Sequence, residues 1–459
     1  MHMSALATDL YELTMMAGYW AAGMNQRASF ELYVREMPDH RGYLVAAGLE
    51  QALDHLQQVR FTPGQIQHLR RLPVFQGVPP AFFDECLTSF AFEGEVWAVE
   101  EGTPIFPHEP FLRVTAPLMQ AQVVETALLA VVTFQTSIAS KAARIAGVAG
   151  GLPVVEFGGR RAHGIEAGIL AARAAYLAGC AGTSSVAAGH RFGIPVSGTM
   201  AHSWVMAFND EMEAFRQYAS LYGERSVFLI DTYDTLRAAE RIGASGLRPA
   251  AVRLDSGDVL AQSHQVRQIF DRAGLVRTGI FVSGDLDEHK IATMLEQGAP
   301  VDGFGVGTAI STSKDAPALG GVYKLVEIER DHHQVPTLKR SPGKASYAGC
   351  KQAWRTVEQG VARGDLLGLA GEEAPAGGTP LLEPVMKDGV RTKPSPPLVE
   401  LRTRCLERVR ALPDEVRRLD DPARYPVLIS ERLQQLTDEV SSRFGPSDLG
   451  LRTSDDVDG

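Results

Sequence analysis

Acids, arginines, hydroxyls and a histidine recur in this chain just after short apolar runs, and any chemistry would sit there. Glu156 leads into Phe157-Gly158-Gly159-Arg160-Arg161, Gly182 into Thr183-Ser184-Ser185, and Gly198-Thr199 into Met200-Ala201-His202-Ser203-Trp204. Later come Asp231 and Asp234, then Arg253, Asp255 and Asp258, then Ser283, Asp285 and Asp287, and finally Gly305-Val306-Gly307-Thr308. Glycine beside a hydroxyl lets backbone amides approach an anion with no Cβ in the way, so residues 305–308 and 182–185 suit a phosphate as well as a tight turn. Phe157 beside two guanidinium groups suits a planar ring next to phosphates; the plainer alternative is a core phenylalanine with a surface arginine pair. His202 is either a hydrogen-bonded structural residue or a general base or nucleophile toward phosphorus.

Several familiar chemistries are absent. The twelve histidines include no H-E-x-x-H pattern, and His332-His333 reads as a solvated loop. There is no Walker phosphate loop and no G-x-S-x-G elbow. Residues 227–234 come nearest to the acid-rich fingerprint of the common α/β phosphoribosyltransferases, but lack its paired acids and following loop.

The elements that must carry these residues follow from the apolar runs themselves. Seven of them, at 153–156, 179–183, 194–199, 227–231, 251–255, 280–283 and 304–308, recur with helix-like segments in most gaps. That is the rhythm of βα units around a parallel sheet. With no reversal signal, it favours a closed but irregular barrel, whose strand ends would meet on one face. Before it, residues 29–34 and 92–99 alternate as strands, 47–53 open a helical period, and four prolines from Pro104 to Pro117 suggest a boundary near 115. A helix is expected over 120–147, apolar on more than one face. After about residue 340 the rhythm stops: 368–380 reads as a small-residue linker, 398–419 as a charged amphipathic helix, and the last residues as frayed. The expected organisation is an accessory α/β domain made from 1–115 and 341–440, a catalytic α/β barrel at 116–340, and a tail at 441–459.

Composition narrows the function classes. With 45% hydrophobic and 22% charged residues, the 459-residue chain has the make-up of a folded protein rather than a disordered one. Its net charge of -10 argues against nucleic acid or an anionic membrane as the main partner. The four cysteines, Cys86, Cys180, Cys350 and Cys405, lie far apart and form no C-x-x-C pair, as in a reducing compartment. Asp9 and Glu12 stand where a secretory leader would need a basic and then an apolar run, and the strongest apolar stretch, 127–132, is far short of a membrane span. A cytoplasmic protein is expected.

Taken in order, the motifs resemble those of the nicotinate phosphoribosyltransferases. The resemblance runs from Asp9-Leu10-Tyr11-Glu12-Leu13-Thr14-Met15 through Tyr43-Leu44-Val45-Ala46-Ala47-Gly48-Leu49 and Glu156-Phe157-Gly158-Gly159-Arg160-Arg161-Ala162. It continues in Gly198-Thr199-Met200-Ala201-His202-Ser203, Leu229-Ile230-Asp231-Thr232-Tyr233-Asp234, Arg253-Leu254-Asp255-Ser256-Gly257-Asp258, Ser341-Pro342-Gly343-Lys344 and Arg424-Tyr425-Pro426-Val427. One departure is Ala348, where the family often has proline.

The resemblance implies an irregular α/β barrel, an accessory domain from both chain ends, and a homodimer with shared active sites. It implies an enzyme joining nicotinate to 5-phosphoribosyl 1-diphosphate, giving nicotinate mononucleotide and diphosphate for NAD biosynthesis, with coupled ATP hydrolysis and magnesium on the diphosphate. By motif, His202 would be the transiently phosphorylated histidine. Tyr11 and Phe157 would hold the pyridine, with Thr199 and Arg253 in its pocket. Arg160, Asp255, Gly307 and Thr308 would serve the phosphoribosyl side, and no residue is assigned to the metal. Two other readings are a nicotinamide phosphoribosyltransferase and a non-catalytic phosphoribosyl or nucleotide sensor on the same fold. The long match with the acid-using family speaks against the first, and His202, Arg253 and Asp255 together speak against the second.

Overall fold

The structure is a computed structural model describing residues 4–341 and 345–443, in which the chain forms two compact units. One joins the segment up to Thr136 with the segment from Ala318 onward; the other is Ser137–Pro317. The division falls at these residues rather than at 115 and 340 because backbone ladders hold both flanks in the first unit. Strand Leu112–Pro117 and strand Gly321–Arg330 both pair antiparallel with Arg27–Val34. The expected tail begins inside helix Glu431–Ser442, and its residues beyond 443 lie outside the described part, as do 342–344 of the Ser-Pro-Gly-Lys motif.

In the first unit, an antiparallel sheet runs in the order His333–Pro336, Gly321–Arg330, Arg27–Val34, Leu112–Pro117, Glu95–Val99, Leu382–Lys387, Val390–Arg391. Arg27–Val34 is buried at every position but its first, so both faces of this strand are covered. Phe30 stacks on Tyr323 at 4.9 Å within the unit's apolar core. Inside the same strand, Glu31 pairs with the buried Lys351 ammonium at 2.8 Å. A second sheet orders Gly378–Pro380, Lys351–Glu358, Val361–Leu369 and Val427–Ile429. The expected linker at 368–380 thus starts and ends in strands. The helix expected over 398–419 stops at Arg410, just before Pro413, which has no N–H to continue it. Ala348 is buried and its N–H donates to Thr437 Oγ1 at 3.2 Å, a bond that proline could not make. His332 is nearly fully exposed at a turn, while His333 opens a strand.

The second unit is the α/β part. Six strands lie parallel in the order Gly182–Thr183, Val154–Glu156, Gly303–Val306, Gly279–Val282, Ala251–Leu254, Val227–Leu229. The seventh expected run, 194–199, makes only a one-residue parallel bridge from Val196 to Thr183. Pro195 removes a ladder donor in the middle of that run. Among the described residues, the ladder runs from Val196 to Val227–Leu229 without those two ends pairing. The helix expected over 120–147 is broken at Val124 into Leu118–Val123 and Glu125–Val148.

Helix caps decide which strand-end acids are free. Ser185, Asp234, Asp258 and Asp287 each cap the helix that follows, accepting the backbone N–H of Ala188, Arg237, Ala261 and Lys290 at 2.9–3.3 Å. Behind the strands, the buried Lys141 ammonium bridges Glu288 at 2.6 Å and Asp315 at 2.8 Å. Burial alone would raise the Glu288 carboxyl, but Lys141 and Arg144 hold it below its ordinary value. Among the described residues, no helix is long and apolar enough to cross a membrane.

Candidate active site

Parallel strands deliver their C-terminal ends to one face, and four of the expected residues meet there. Arg253, on the Ala251–Leu254 strand, donates through Nη1 to the Thr199 hydroxyl and to the Met200 carbonyl at 3.4 Å. Its Nη2 lies 3.6 Å from Asp255. Thr199 passes its own proton to Met200 O at 3.0 Å, so this hydroxyl is used up in holding the guanidinium. The Arg253 side chain is only 12% exposed. Burial pulls the guanidinium below its usual value, and the nearby Arg160 charge acts in the same direction, against Asp255 and Asp231.

His202 opens the short helix His202–Met206, with Nδ1 3.2 Å from the Thr232 hydroxyl and Nε2 3.8 Å from Asp255 Oδ2. One ring nitrogen is thereby oriented, while the other faces a carboxylate across a gap too long for a hydrogen bond. Asp255 is itself fixed: its Oδ1 accepts from Ser283, and its backbone N–H donates to Asp231 Oδ2 at 3.0 Å. Ser256 donates to the same oxygen at 2.6 Å. Asp231 Oδ1 and Arg253 Nε are buried with no hydrogen-bonding partner in the protein. Gly284 sits at φ +94°, packed so closely that a Cβ there would collide with the Asp255 carbonyl oxygen.

A second group lies on the neighbouring strands. Phe157 follows strand Val154–Glu156, with its N–H on Val306 O at 2.8 Å and its ring 5.9 Å from Phe281. Phe281 stands opposite Arg253 in the parallel register, which links the two groups. Gly305 has no side chain because the Phe157 ring occupies the place of its Cβ. A Cβ on Gly158 would likewise strike the Ser311 side chain and the Gly307 carbonyl. Arg160 is exposed, and Thr308 begins the single helical turn Thr308–Ser311 directly after Gly307.

Tyr11 lies in the first unit, on helix Leu10–Ala21, and is 46% exposed. Burial of its inner edge raises the phenol's pKa, as do the carboxylates of Glu125, Glu12 and Asp9. Among the described residues, no group of three or more His, Cys, Asp or Glu side chains is arranged to hold a metal ion. Magnesium carried on a diphosphate needs fewer, since it keeps waters and phosphate oxygens and takes one or two carboxylates. The partnerless Oδ1 of Asp231 fits that requirement.

The models of the N-terminal, central and C-terminal parts of nicotinate phosphoribosyltransferase match residues 6–133, 152–342 and 374–437. The chain belongs to the nicotinate phosphoribosyltransferase family. A nicotinate phosphoribosyltransferase of Mycobacterium tuberculosis is 44% identical over 441 residues, covering 94% of this chain and 93% of its own. The nicotinate phosphoribosyltransferase of Homo sapiens is 32% identical, over 96% and 97% of the two chains. The crystal structure of human nicotinic acid phosphoribosyltransferase superposes with a TM-score of 0.83 at 31% identity, over 94% of this chain and 99% of that one. A nicotinate-nucleotide pyrophosphorylase from Pyrococcus furiosus gives 0.73 at 26% identity, over 89% and 95%.

Within this nicotinate phosphoribosyltransferase chain, Asp231 and Ser283 contact the same cluster, and their signal in the sequence was position, since each ends an apolar run. Thr232, one residue past such a run, was missed. Asp234, Asp258 and Asp287 carry the same signal and turn out to be caps.

Proposed function

We infer that this site joins nicotinate to 5-phosphoribosyl 1-diphosphate, giving nicotinate mononucleotide and diphosphate as a step of NAD biosynthesis. The observation that carries the reading is the convergence of Arg253, Thr199, Asp255 and His202, with the face of Phe157 one register position away through Phe281. A carboxylate on a flat ring calls for a guanidinium fork and an aromatic face. Thr199 and Asp255 hold the Arg253 fork, leaving Nε for the carboxylate. The pyridine nitrogen then attacks the anomeric carbon, and the bond to the diphosphate oxygen breaks with its electron pair. Arg160 and the amides around Gly307 and Thr308 meet the growing negative charge. Bound magnesium would neutralise charge on the leaving diphosphate, held through Asp231 Oδ1.

For ATP, His202 is suited to accept the γ-phosphoryl group. Its Nε2 lone pair attacks phosphorus, the bond to the bridging oxygen breaks, and ADP departs. Thr232 orients the ring through Nδ1 and Asp255 faces the reacting edge. The parallel order, prolonged by the Val196 bridge, supports an irregular barrel, and the exposure of Tyr11 supports a homodimer in which a second copy offers this ring to the pyridine. Diphosphate release measured with nicotinate, with nicotinamide and with neither tests the reading. Nicotinate should be preferred, because its carboxylate makes charge-assisted bonds that a neutral amide cannot. Equal specificity constants for the two pyridines would overturn it.

A further inference from the structure

Glu156 ends the strand Val154–Glu156 with a fully buried side chain that the reaction above leaves unused. A buried carboxylate is costly unless its oxygens are met by donors. Here Oε1 accepts the Gly158 N–H, and Oε2 accepts the Thr183 hydroxyl at 2.7 Å. The Thr183 oxygen in turn accepts the Ser185 N–H at 3.0 Å, which fixes this hydroxyl to the backbone of its loop. Both oxygens thus meet a donor, which offsets in part the upward pull of burial on this carboxyl, and among the described residues no cation pairs with them. A glutamine in this place would offer one acceptor and turn an NH2 group toward a donor.

The two donors belong to the two segments that flank the site on this side. Gly158 follows Phe157 and precedes Arg160, while Thr183 and Ser185 shape the loop that caps helix Val186–Phe192. The turn at Gly158 has no slack, being packed against Ser311 and the Gly307 carbonyl. A shift at the Glu156 carboxylate would therefore move Phe157 and Arg160 against Gly307 and Thr308. We propose that Glu156 is a positioning residue for the reaction: its carboxylate ties the turn carrying Phe157 and Arg160 to the loop at 183–185, and so sets how tightly the pyridine and the phosphoribosyl donor are held. This rests on the site being that of a nicotinate phosphoribosyltransferase.

The test uses the full chain, with E156Q, T183V and the double variant, comparing KM for each substrate, kcat and melting temperature. Each single change should raise KM for nicotinate and for 5-phosphoribosyl 1-diphosphate by about tenfold, as expected for one lost charge-assisted hydrogen bond, while kcat changes far less. The double variant should be no worse than E156Q, because both changes break the same link. Wild-type KM values with a lowered melting temperature would overturn the proposal, as would additive effects in the double variant. If E156Q does not fold, T183V decides alone, and a wild-type KM in it overturns the proposal. Calorimetric binding of the two substrates in the same variants decides on Glu156 even without turnover, whereas absent turnover in the native protein counts against the reading of the site only.

Discussion

Arg253 is gripped by a hydroxyl, a carbonyl and a carboxylate, so its planar fork matters more than its charge. Arg253→Lys should lower the specificity constant for nicotinate about tenfold to a hundredfold, the loss of one charged hydrogen bond at roughly 1.5–3 kcal/mol. Because this side chain is nearly buried, a modest drop in melting temperature should accompany the kinetic loss. Lost stability with intact kinetics would make Arg253 a structural residue. His202→Ala should abolish ATP hydrolysis and acid-labile labelling from ATP, yet leave some phosphoribosyl transfer, because Phe157 and Arg253 keep their own supports. ATP hydrolysis that persists unchanged in this variant would remove His202 from the mechanism. At this scale the sequence was informative about His202, Arg253 and Asp255, whose types announce chemistry. It marked Ser283 by position alone and passed over Thr232, since both matter only through the atoms they touch.

The strand-to-helix junction sorts acids that look alike in the sequence. Asp258→Ala should cost about 1 kcal/mol of stability through the lost cap and leave kcat near wild type. Asp231→Asn should do the reverse, since Asp231 holds the Asp255 backbone and the Ser256 hydroxyl rather than a helix end. Paired melting curves and kinetics check both, and a D258A enzyme as impaired as D231N would show that the sorting is wrong. Gly284→Ala should lower both stability and activity, because the left-handed φ and the Asp255 carbonyl leave no room for a methyl group. The parallel strands were legible because each is a short apolar run ending in polar residues. The run at 194–199 misled because its apolar pattern matches the other strands, although Pro195 removes a ladder donor and only the single bridge at Val196 forms. The antiparallel strands Lys351–Glu358 and Val361–Leu369 went unread because inward Lys351, Arg355 and Asp365 break the alternation of apolar residues. Arg355 and Asp365 satisfy each other by a bidentate pair at 2.6 and 2.9 Å, which residue types alone do not reveal.

Across the whole molecule, His108 makes stability depend on acidity. Burial, with Arg35 and Lys351 adding to it, lowers its pKa to about 4, against an ordinary value near 6.5. Between those values the unfolded chain binds a proton that the folded one refuses, so stability falls as pH drops from about 6.5 to about 4. In His108→Asn, which tolerates the native left-handed φ of 67°, melting temperatures should fall less steeply across that window. An unchanged slope would place the acid sensitivity elsewhere. The two partnerless atoms in the site, Arg253 Nε and Asp231 Oδ1, have a consequence for descent. A lineage screened only for heat resistance, with no demand for the reaction, should first acquire neighbouring side chains that give these two atoms partners, since Arg253 and Asp231 themselves hold Thr199, Asp255 and Ser256. Robustness would thus be gained by filling the very places that a substrate's polar groups must occupy.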